Sequence, residues 1–150
     1  MHRSRCMRTR NVDTIMTADP ARIGPHDTLQ TAAQLMRRHN VGFLVVYEAP
    51  AGVVGVITDR DITVRATAEG RDPTMTEVRD GMTNNVVTCY DDESVEDAAW
   101  RMQRHAVRRL VVVDRAKHLV GIVSVDDIAR ALGSERLAGQ VLQRESGEPA

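Results

Sequence analysis

An eight-residue pattern occurs twice in this chain, as GVITDRDI at positions 55–62 and as GIVSVDDI at positions 121–128. Each copy runs from a glycine to a hydroxyl residue and places an aspartate three positions after that hydroxyl. The ungapped shift of 121 − 55 = 66 residues also aligns Met16 with Met82 and Leu44 with Leu110. The chain is therefore a tandem duplication, and two copies of this length predict two similar lobes rather than a stacked solenoid.

Each copy predicts the same order of elements, namely strand, helix, strand, strand and helix. Apolar residues at positions 29, 32, 33 and 36, and again at 95, 98, 99 and 102, fall on one face of a helix. Short runs rich in β-branched residues predict strands at 43–47, 53–58, 110–114 and 119–124, and the second helices are expected at 61–67 and 127–132. The predicted fold class is α/β (α+β), with two strand-helix-strand-strand-helix repeats packed with pseudo-twofold symmetry.

Composition along the chain divides it into five predicted segments. A basic N-terminal arm at 1–11 is expected to be flexible, because its arginines precede any apolar periodicity. Repeat 1 spans 12–68, and the polar stretch with Gly and Pro at 69–80 is interpreted as a linker. Repeat 2 spans 81–133. A weak apolar stripe of Leu137, Val141 and Leu142 then predicts a C-terminal helix or tail at 134–150.

Charge and residue usage exclude several function classes. A net charge of −1 and a pI near 6.5 argue against a nucleic-acid partner, which requires a basic surface. Cys6 and Cys89 lie too far apart in sequence to indicate a disulfide framework or a zinc motif. No apolar run is long enough for a membrane span, so a cytoplasmic protein without a membrane partner is predicted. His39 and His105 are attributed to helix C-termini rather than to a metal site.

The repeated patterns, M-T, H-x-V-x-x-L-V-V and G-[VI]-[IV]-[TS]-x-x-D-I, resemble a tandem pair of CBS domains, named for cystathionine β-synthase. The resemblance covers roughly residues 12–133, and the chain is similar to the stand-alone members of that family. It implies that the two repeats pack sheet against sheet, that pairs of repeats form homodimers, and that clefts between repeats bind adenine nucleotides or related ligands.

Four residues of the repeated motif are the candidate ligand-binding side chains: Thr58, Asp61, Ser124 and Asp127. A carboxylate can accept hydrogen bonds from both hydroxyls of a ribose, and a Ser or Thr hydroxyl can reach a phosphate oxygen. In the family that the chain resembles, the aspartate holds ribose and the hydroxyl residue lies beside the phosphates. The alternative is that [ST]-x-x-D is only a helix capping box. From the residues alone, both interpretations remain open.

The two copies differ in their basic residues. Arg60 stands inside the first motif, whereas Arg108 and Arg109 precede the central strand of the second repeat. The resemblance implies that Arg108 and Arg109 contact phosphates in the cleft of Asp61, and the alternative is that they are solvated or face a dimer partner. An apolar adenine slot is expected along the early strands at 21–23 and 86–88, with four lining residues: Ala21, Ile23, Val86 and Val87.

The predicted function is a non-enzymatic sensor, because no nucleophile or general-base motif is present. The expected ligand is AMP, ADP, ATP or S-adenosylmethionine, and no cofactor is required. The alternative is a structural dimerisation module without a nucleotide ligand. A homodimer is expected through a flat apolar helical surface formed by Ala32, Ala33, Ala98, Ala99, Met36, Met102 and Trp100.

Overall fold

The computed structural model describes residues 10–133 and shows a mixed α/β fold. The predicted tail at 134–150 and most of the predicted arm at 1–11 lie outside the described residues. The chain forms two compact units. The first-repeat unit is Pro20–Val86, and the second-repeat unit combines Met1–Asp19 with Val87–Ala150. The predicted repeat boundaries at 12–68 and 81–133 stay a prediction.

The first-repeat unit is built on a three-stranded sheet in the order β2-β3-β4. Strand β2 pairs in parallel with β3, and β3 pairs antiparallel with β4. The elements, in chain order, are β2 (Arg22–Ile23), α1 (Leu29–His39), β3 (Phe43–Glu48), β4 (Gly52–Thr58), α2 (Asp59–Ile62), a π-helical turn (Thr63–Thr67) and a 3₁₀ turn (Val78–Asp80).

The second-repeat unit is built on a four-stranded sheet in the order β1-β7-β6-β5. Strand β5 pairs in parallel with β6, while the β6–β7 and β1–β7 pairs are antiparallel. The elements, in chain order, are a 3₁₀ turn (Val12–Thr14), β1 (Thr17–Ala18), β5 (Thr88–Tyr90), α3 (Val95–His105), β6 (Arg109–Val113), β7 (Leu119–Ser124) and α4 (Val125–Leu132). None of the helices in residues 10–133 has the length and apolarity to cross a bilayer.

Two predicted elements are displaced in the structure. The early strand of the second repeat was expected at 86–88, but β5 begins only at Thr88, where its pairing with β6 begins. The second helix of the first repeat was expected at 61–67, but α2 begins at Asp59 because Thr58 is its N-cap. From Thr63 onward this helix continues as a π-helical turn, in which the Ala68 N–H donates to the Thr63 carbonyl at 2.9 Å.

The first helix of each repeat begins and ends at matched residues. The hydroxyl of Thr28 accepts a hydrogen bond from the Thr31 N–H, and that of Ser94 accepts one from the Asp97 N–H. Both predicted N-caps are thereby confirmed. His39 and His105 are the last helical residues, where a basic side chain interacts favourably with the helix dipole.

Each unit has its own apolar core beneath its sheet. Met36 and Met102 are buried within these cores, as are Ala32, Ala98 and Ala99. The expected flat apolar surface is therefore wrong in its composition, because the apolar stripe of each helix covers the sheet of its own unit. Of the seven residues proposed for that surface, Ala33 and Trp100 are exposed.

The segment preceding each repeat contributes a fully buried valine at the matched position, Val12 in the second-repeat unit and Val78 in the first-repeat unit. The Val12 N–H donates to the Glu93 carbonyl at 2.8 Å, and the Val78 N–H donates to the Asp27 carbonyl at 2.8 Å. The stretch at 69–80 is therefore more extensively folded than a linker requires, because it supplies core residues to the first-repeat unit.

The glycine that opens each repeated motif lies under a second segment of its own unit. A Cβ on Gly55 would lie 2.8 Å from the Thr83 carbonyl oxygen and 2.8 Å from the Met82 sulfur. A Cβ on Gly121 would meet Met16 and, at 3.0 Å, the Thr17 carbonyl oxygen. Glycine at these two positions thus permits the close approach of a neighbouring backbone.

Candidate functional site

Both copies of the [ST]-x-x-D motif form the junction between a strand and the helix that follows it. The Asp61 N–H donates to the Thr58 hydroxyl at 3.0 Å, and the Thr58 N–H donates to Oδ2 of Asp61 at 3.0 Å. The second junction repeats this arrangement, with the Asp127 N–H on the Ser124 hydroxyl at 3.1 Å and the Ser124 N–H on Asp127 Oδ2 at 2.9 Å. The capping box is therefore present at both junctions.

The capping box uses only one oxygen of each carboxylate. The side chains of Asp61 and Asp127 are 14% and 15% exposed, so both carboxylates lie mostly inside the surface. Oδ1 of Asp61 lies 3.9 Å from Nε of Arg65, which is an ion pair without a short hydrogen bond. Oδ1 of Asp127 accepts a hydrogen bond from Arg130 at 2.7 Å. Capping thus leaves the two sites in different states.

The predicted basic residues are all exposed, and they divide between the units. Arg60 lies in the first turn of α2, on the helix that carries Asp61. Arg108 and Arg109 belong to the second-repeat unit, where Arg109 pairs in register with Ser124 across β6 and β7. The Arg108 carbonyl accepts a hydrogen bond from the Val125 N–H at 2.9 Å, which fixes the backbone beside that junction. The expected contact of these two arginines with phosphate at Asp61 stays a prediction.

The residues predicted for the adenine slot differ in burial and in their match between repeats. The Ala21 carbonyl accepts from the Val45 N–H at 3.2 Å, and the Val87 carbonyl accepts from the Val111 N–H at 3.1 Å. Ala21 and Val87 are therefore structural counterparts, 66 residues apart. Ile23 is buried in its core, whereas Val86 lies one position before the matched pair and is half-buried. Their roles in binding stay predictions.

The sequence reasoning missed two residues that approach the aspartates, namely Arg65 and Arg130. Their spacing was the available signal, because residues three and four positions apart are neighbours on a helix. Arg65 is four positions after Asp61, and Arg130 is three positions after Asp127.

Other reactive side chains give no sign of chemistry in residues 10–133. Burial raises the pKa of the Cys89 thiol to about 12, and the nearby Glu93 carboxylate raises it further. A thiol with this pKa is not a nucleophile near neutral pH. No group of His, Cys, Asp and Glu side chains in this part of the chain has the arrangement of a metal site.

An open groove of about 500 Å³ lies on the first-repeat unit between α1 and α2. Met36, Val41 and Ile62 contribute apolar atoms to it, and Arg37, Asn40 and Asp59 contribute polar ones. None of the predicted ligand-binding residues lines this groove. Shape and the repeated chemistry therefore indicate different places, and we rely on the chemistry because it occurs in both units.

Two regions of the chain, residues 12–66 and 76–134, match the family model of the CBS domain. The CBS domain-containing protein YhcV of Bacillus subtilis is 43% identical over 133 residues, which are 88% of this chain and 92% of that protein. These two findings cover most of the chain.

Solved structures with similar folds support the same assignment. The crystal structure of Hypoxic Response Protein I with two coordinated zinc ions has a TM-score of 0.72 and 34% identity, covering 81% of this chain and 98% of that one. The CBS domain pair of protein MJ0100, in complex with 5′-methylthioadenosine and S-adenosyl-L-methionine, has a TM-score of 0.71 and 29% identity, covering 83% and 97%. With two matched copies of the domain, the chain belongs to the CBS domain family as a tandem pair.

Proposed function

We propose that this chain is a non-enzymatic regulatory module that binds an adenosine-containing ligand at its two strand-to-helix junctions. The observation that carries the proposal is the mostly buried carboxylate with one oxygen outside the capping box, which occurs at Asp61 and again at Asp127. A helix cap needs only one carboxylate oxygen, so the second oxygen is available to a ligand or to a neighbouring cation.

The chemistry of the junction suits a ribose. Its two adjacent hydroxyls are both donors, and an ionised carboxylate accepts such hydrogen bonds more strongly than a neutral group does. The hydroxyls of Thr58 and Ser124 accept helix N–H bonds, and each can still donate to a phosphate or ribose oxygen. A structural neighbour that binds S-adenosyl-L-methionine and 5′-methylthioadenosine supports an adenosine-containing ligand.

The ligand class that we propose comprises AMP, ADP, ATP and S-adenosylmethionine, and no cofactor is required for binding. The exposed Arg60 beside Asp61 favours a phosphorylated ligand at the first junction. Neither nucleic acid nor a membrane is a proposed partner. The proposal also places the protein in the cytoplasm, in keeping with the free and buried thiol of Cys89.

A thermal-shift panel tests this function directly. A ligand present at about 100 times its dissociation constant stabilises the folded state by about 2.7 kcal/mol, which raises the Tm by roughly 5 to 11 °C for a domain of this size. We expect this shift with at least one of AMP, ADP, ATP, S-adenosylmethionine and 5′-methylthioadenosine. Inorganic phosphate serves as the control, and the double variant Asp61→Asn/Asp127→Asn should lose the shift. A flat panel would contradict the proposed function.

A dimerisation role has one observation in its favour, the exposed Trp100 on α3. Its side chain is 59% exposed, and the guanidinium of Arg104 lies 5.1 Å from the ring centroid. Tryptophan and arginine are enriched among the residues that dominate protein interfaces. We therefore include a homodimer with Trp100 in its interface as part of the proposal.

Light scattering coupled to size exclusion tests the homodimer. We expect wild-type protein to elute as a dimer at micromolar concentration and Trp100→Ala to shift toward the monomer, since losing a central interface aromatic commonly costs about 2 kcal/mol or more. Met75→Ala is the matched control, because Met75 is an 80% exposed apolar side chain in the other unit. A monomeric wild type, or equal effects of the two substitutions, would remove Trp100 from the proposal.

A further inference from the structure

We propose that Arg130 closes the Asp127 carboxylate, so that the Asp61 junction is the site that takes ligand first. This inference rests on the proposed function, since it concerns which of the two aspartates is available to a ribose. It assigns to Arg130 the role of a specificity-determining residue that acts through Asp127 without contacting the ligand.

At the second junction, both oxygens of the Asp127 carboxylate are occupied. Oδ2 accepts from the Ser124 N–H at 2.9 Å, and Oδ1 accepts from Arg130 at 2.7 Å. The 2.7 Å distance is typical of a charge-assisted hydrogen bond. A ribose that approaches Asp127 must displace the guanidinium before both of its hydroxyls can bind the carboxylate.

At the first junction, the corresponding oxygen is open. Arg65 lies 3.9 Å from Oδ1 of Asp61, and its guanidinium donates instead to the carbonyls of Met82 at 2.9 Å and Gly81 at 3.4 Å. These backbone acceptors hold Arg65 away from the carboxylate. They belong to the segment that precedes the second repeat in sequence but folds with the first-repeat unit.

The duplication supplies an internal comparison for this difference. The residue that matches Arg130 in the first repeat is Val64, since 130 − 64 = 66, and its side chain is about half exposed. Val64 cannot pair with a carboxylate. The helix after Asp61 also continues as a π-helical turn, whereas α4 remains α-helical through Leu132. Both differences remove a cation from the Asp61 carboxylate.

The charge of Arg130 also opposes a second effect, because its head group is 72% exposed and solvent screens the pair. The guanidinium is therefore a weak competitor, and an exposed pair of this kind changes an equilibrium by about two- to fivefold. The inference thus predicts two unequal sites rather than one open site and one abolished site.

Titration calorimetry with AMP, and in parallel with S-adenosylmethionine, tests the closure by Arg130. In an Asp61→Asn background, which isolates the second junction, Arg130→Met should tighten binding about two- to fivefold. Methionine retains the length and helix propensity of arginine without its charge. Arg130→Lys is the conservative control, and it should keep the weaker binding because an ammonium still pairs with Asp127.

The outcomes separate this inference from the function on which it rests. If the wild type binds neither probe, the proposed function and the inference fall together. If the wild type binds but Arg130→Met leaves the second junction unchanged or weakens it, the function stands and the closure by Arg130 is wrong. In an Asp127→Asn background, Arg130→Met should leave affinity unchanged, and a change there would mean that Arg130 acts on the ligand by another route.

Discussion

Val12→Asp is expected to lower the free energy of unfolding of the second-repeat unit by about 3 to 5 kcal/mol, the usual cost of an unpaired buried charge. Val12 is fully buried and packs with core residues drawn from α3, β6 and β7. Val78→Asp should cause the same loss in the first-repeat unit, because Val78 occupies the matched position in that core. Each substitution lies outside the contiguous stretch of the unit that it destabilises.

Hydrogen exchange followed by mass spectrometry resolves the two effects. Val12→Asp should increase exchange in peptides from residues 87–133, and Val78→Asp should increase it in peptides from residues 20–68. Met75→Asp is the control, because Met75 precedes Val78 in the same segment but is 80% exposed. If Val12→Asp instead loosened residues 20–68 and spared 87–133, the assignment of the N-terminal segment to the second-repeat unit would be wrong.

The sequence predicts most of the regular elements because the local signals agree with one another. Helix α1 combines an N-cap at Thr28 with an apolar stripe that includes Leu29 and Met36, and the structure contains that helix. The central strands β3 and β6 are apolar over nearly their whole length, as expected for buried strands. Periodicity and capping are properties of neighbouring residues, so a single sequence carries them.

The exchange of the preceding segments has no comparable signal. The shift of 66 residues aligns Val12 with Val78, but it does not say which sheet either valine covers. The stretch at 69–80 reads as a linker because most of its residues are polar, and its buried side chains are only Thr76 and Val78. Long-range pairing such as Val56 with Thr83 is fixed by the folded backbone and not by local composition.

The candidate site shows the same division between local and long-range information. The pattern S-x-x-D occurs at 94–97 as well as at 124–127, so sequence alone cannot separate a cap from a ligand site. The structure shows the reciprocal capping box at Ser124 and Asp127, whereas the cap at Ser94 consists of the single bond from the Asp97 N–H. The state of the remaining carboxylate oxygen depends on where Arg65 and Arg130 lie, which needs the coordinates.

Asp61→Asn is expected to weaken the binding of AMP about ten- to a hundredfold, because a hydrogen bond to a charged group contributes about 1.5 to 3 kcal/mol. The amide keeps one oxygen for the Thr58 N–H, so the capping box survives. Helix stability should fall by only a few tenths of a kcal/mol up to about 1 kcal/mol, from the lost interaction between the carboxylate and the helix dipole. Calorimetry measures the affinity, and thermal unfolding of the unliganded protein measures the stability.

Asp97→Asn is the matched control for this prediction, because Asp97 occupies the same position of an S-x-x-D sequence at the start of α3 but is exposed and lies at a cap without the reciprocal bond. Its carboxylate interacts with the dipole of α3 as that of Asp61 does with α2, so the cost in Tm should be similar and the affinity for AMP should not change. A ligand site and a helix cap thus differ in one measurable ratio, the loss of affinity relative to the loss of stability. If Asp61→Asn and Asp97→Asn lowered the Tm equally and neither altered the binding of AMP, the junction at Thr58 and Asp61 would be a helix cap and nothing more.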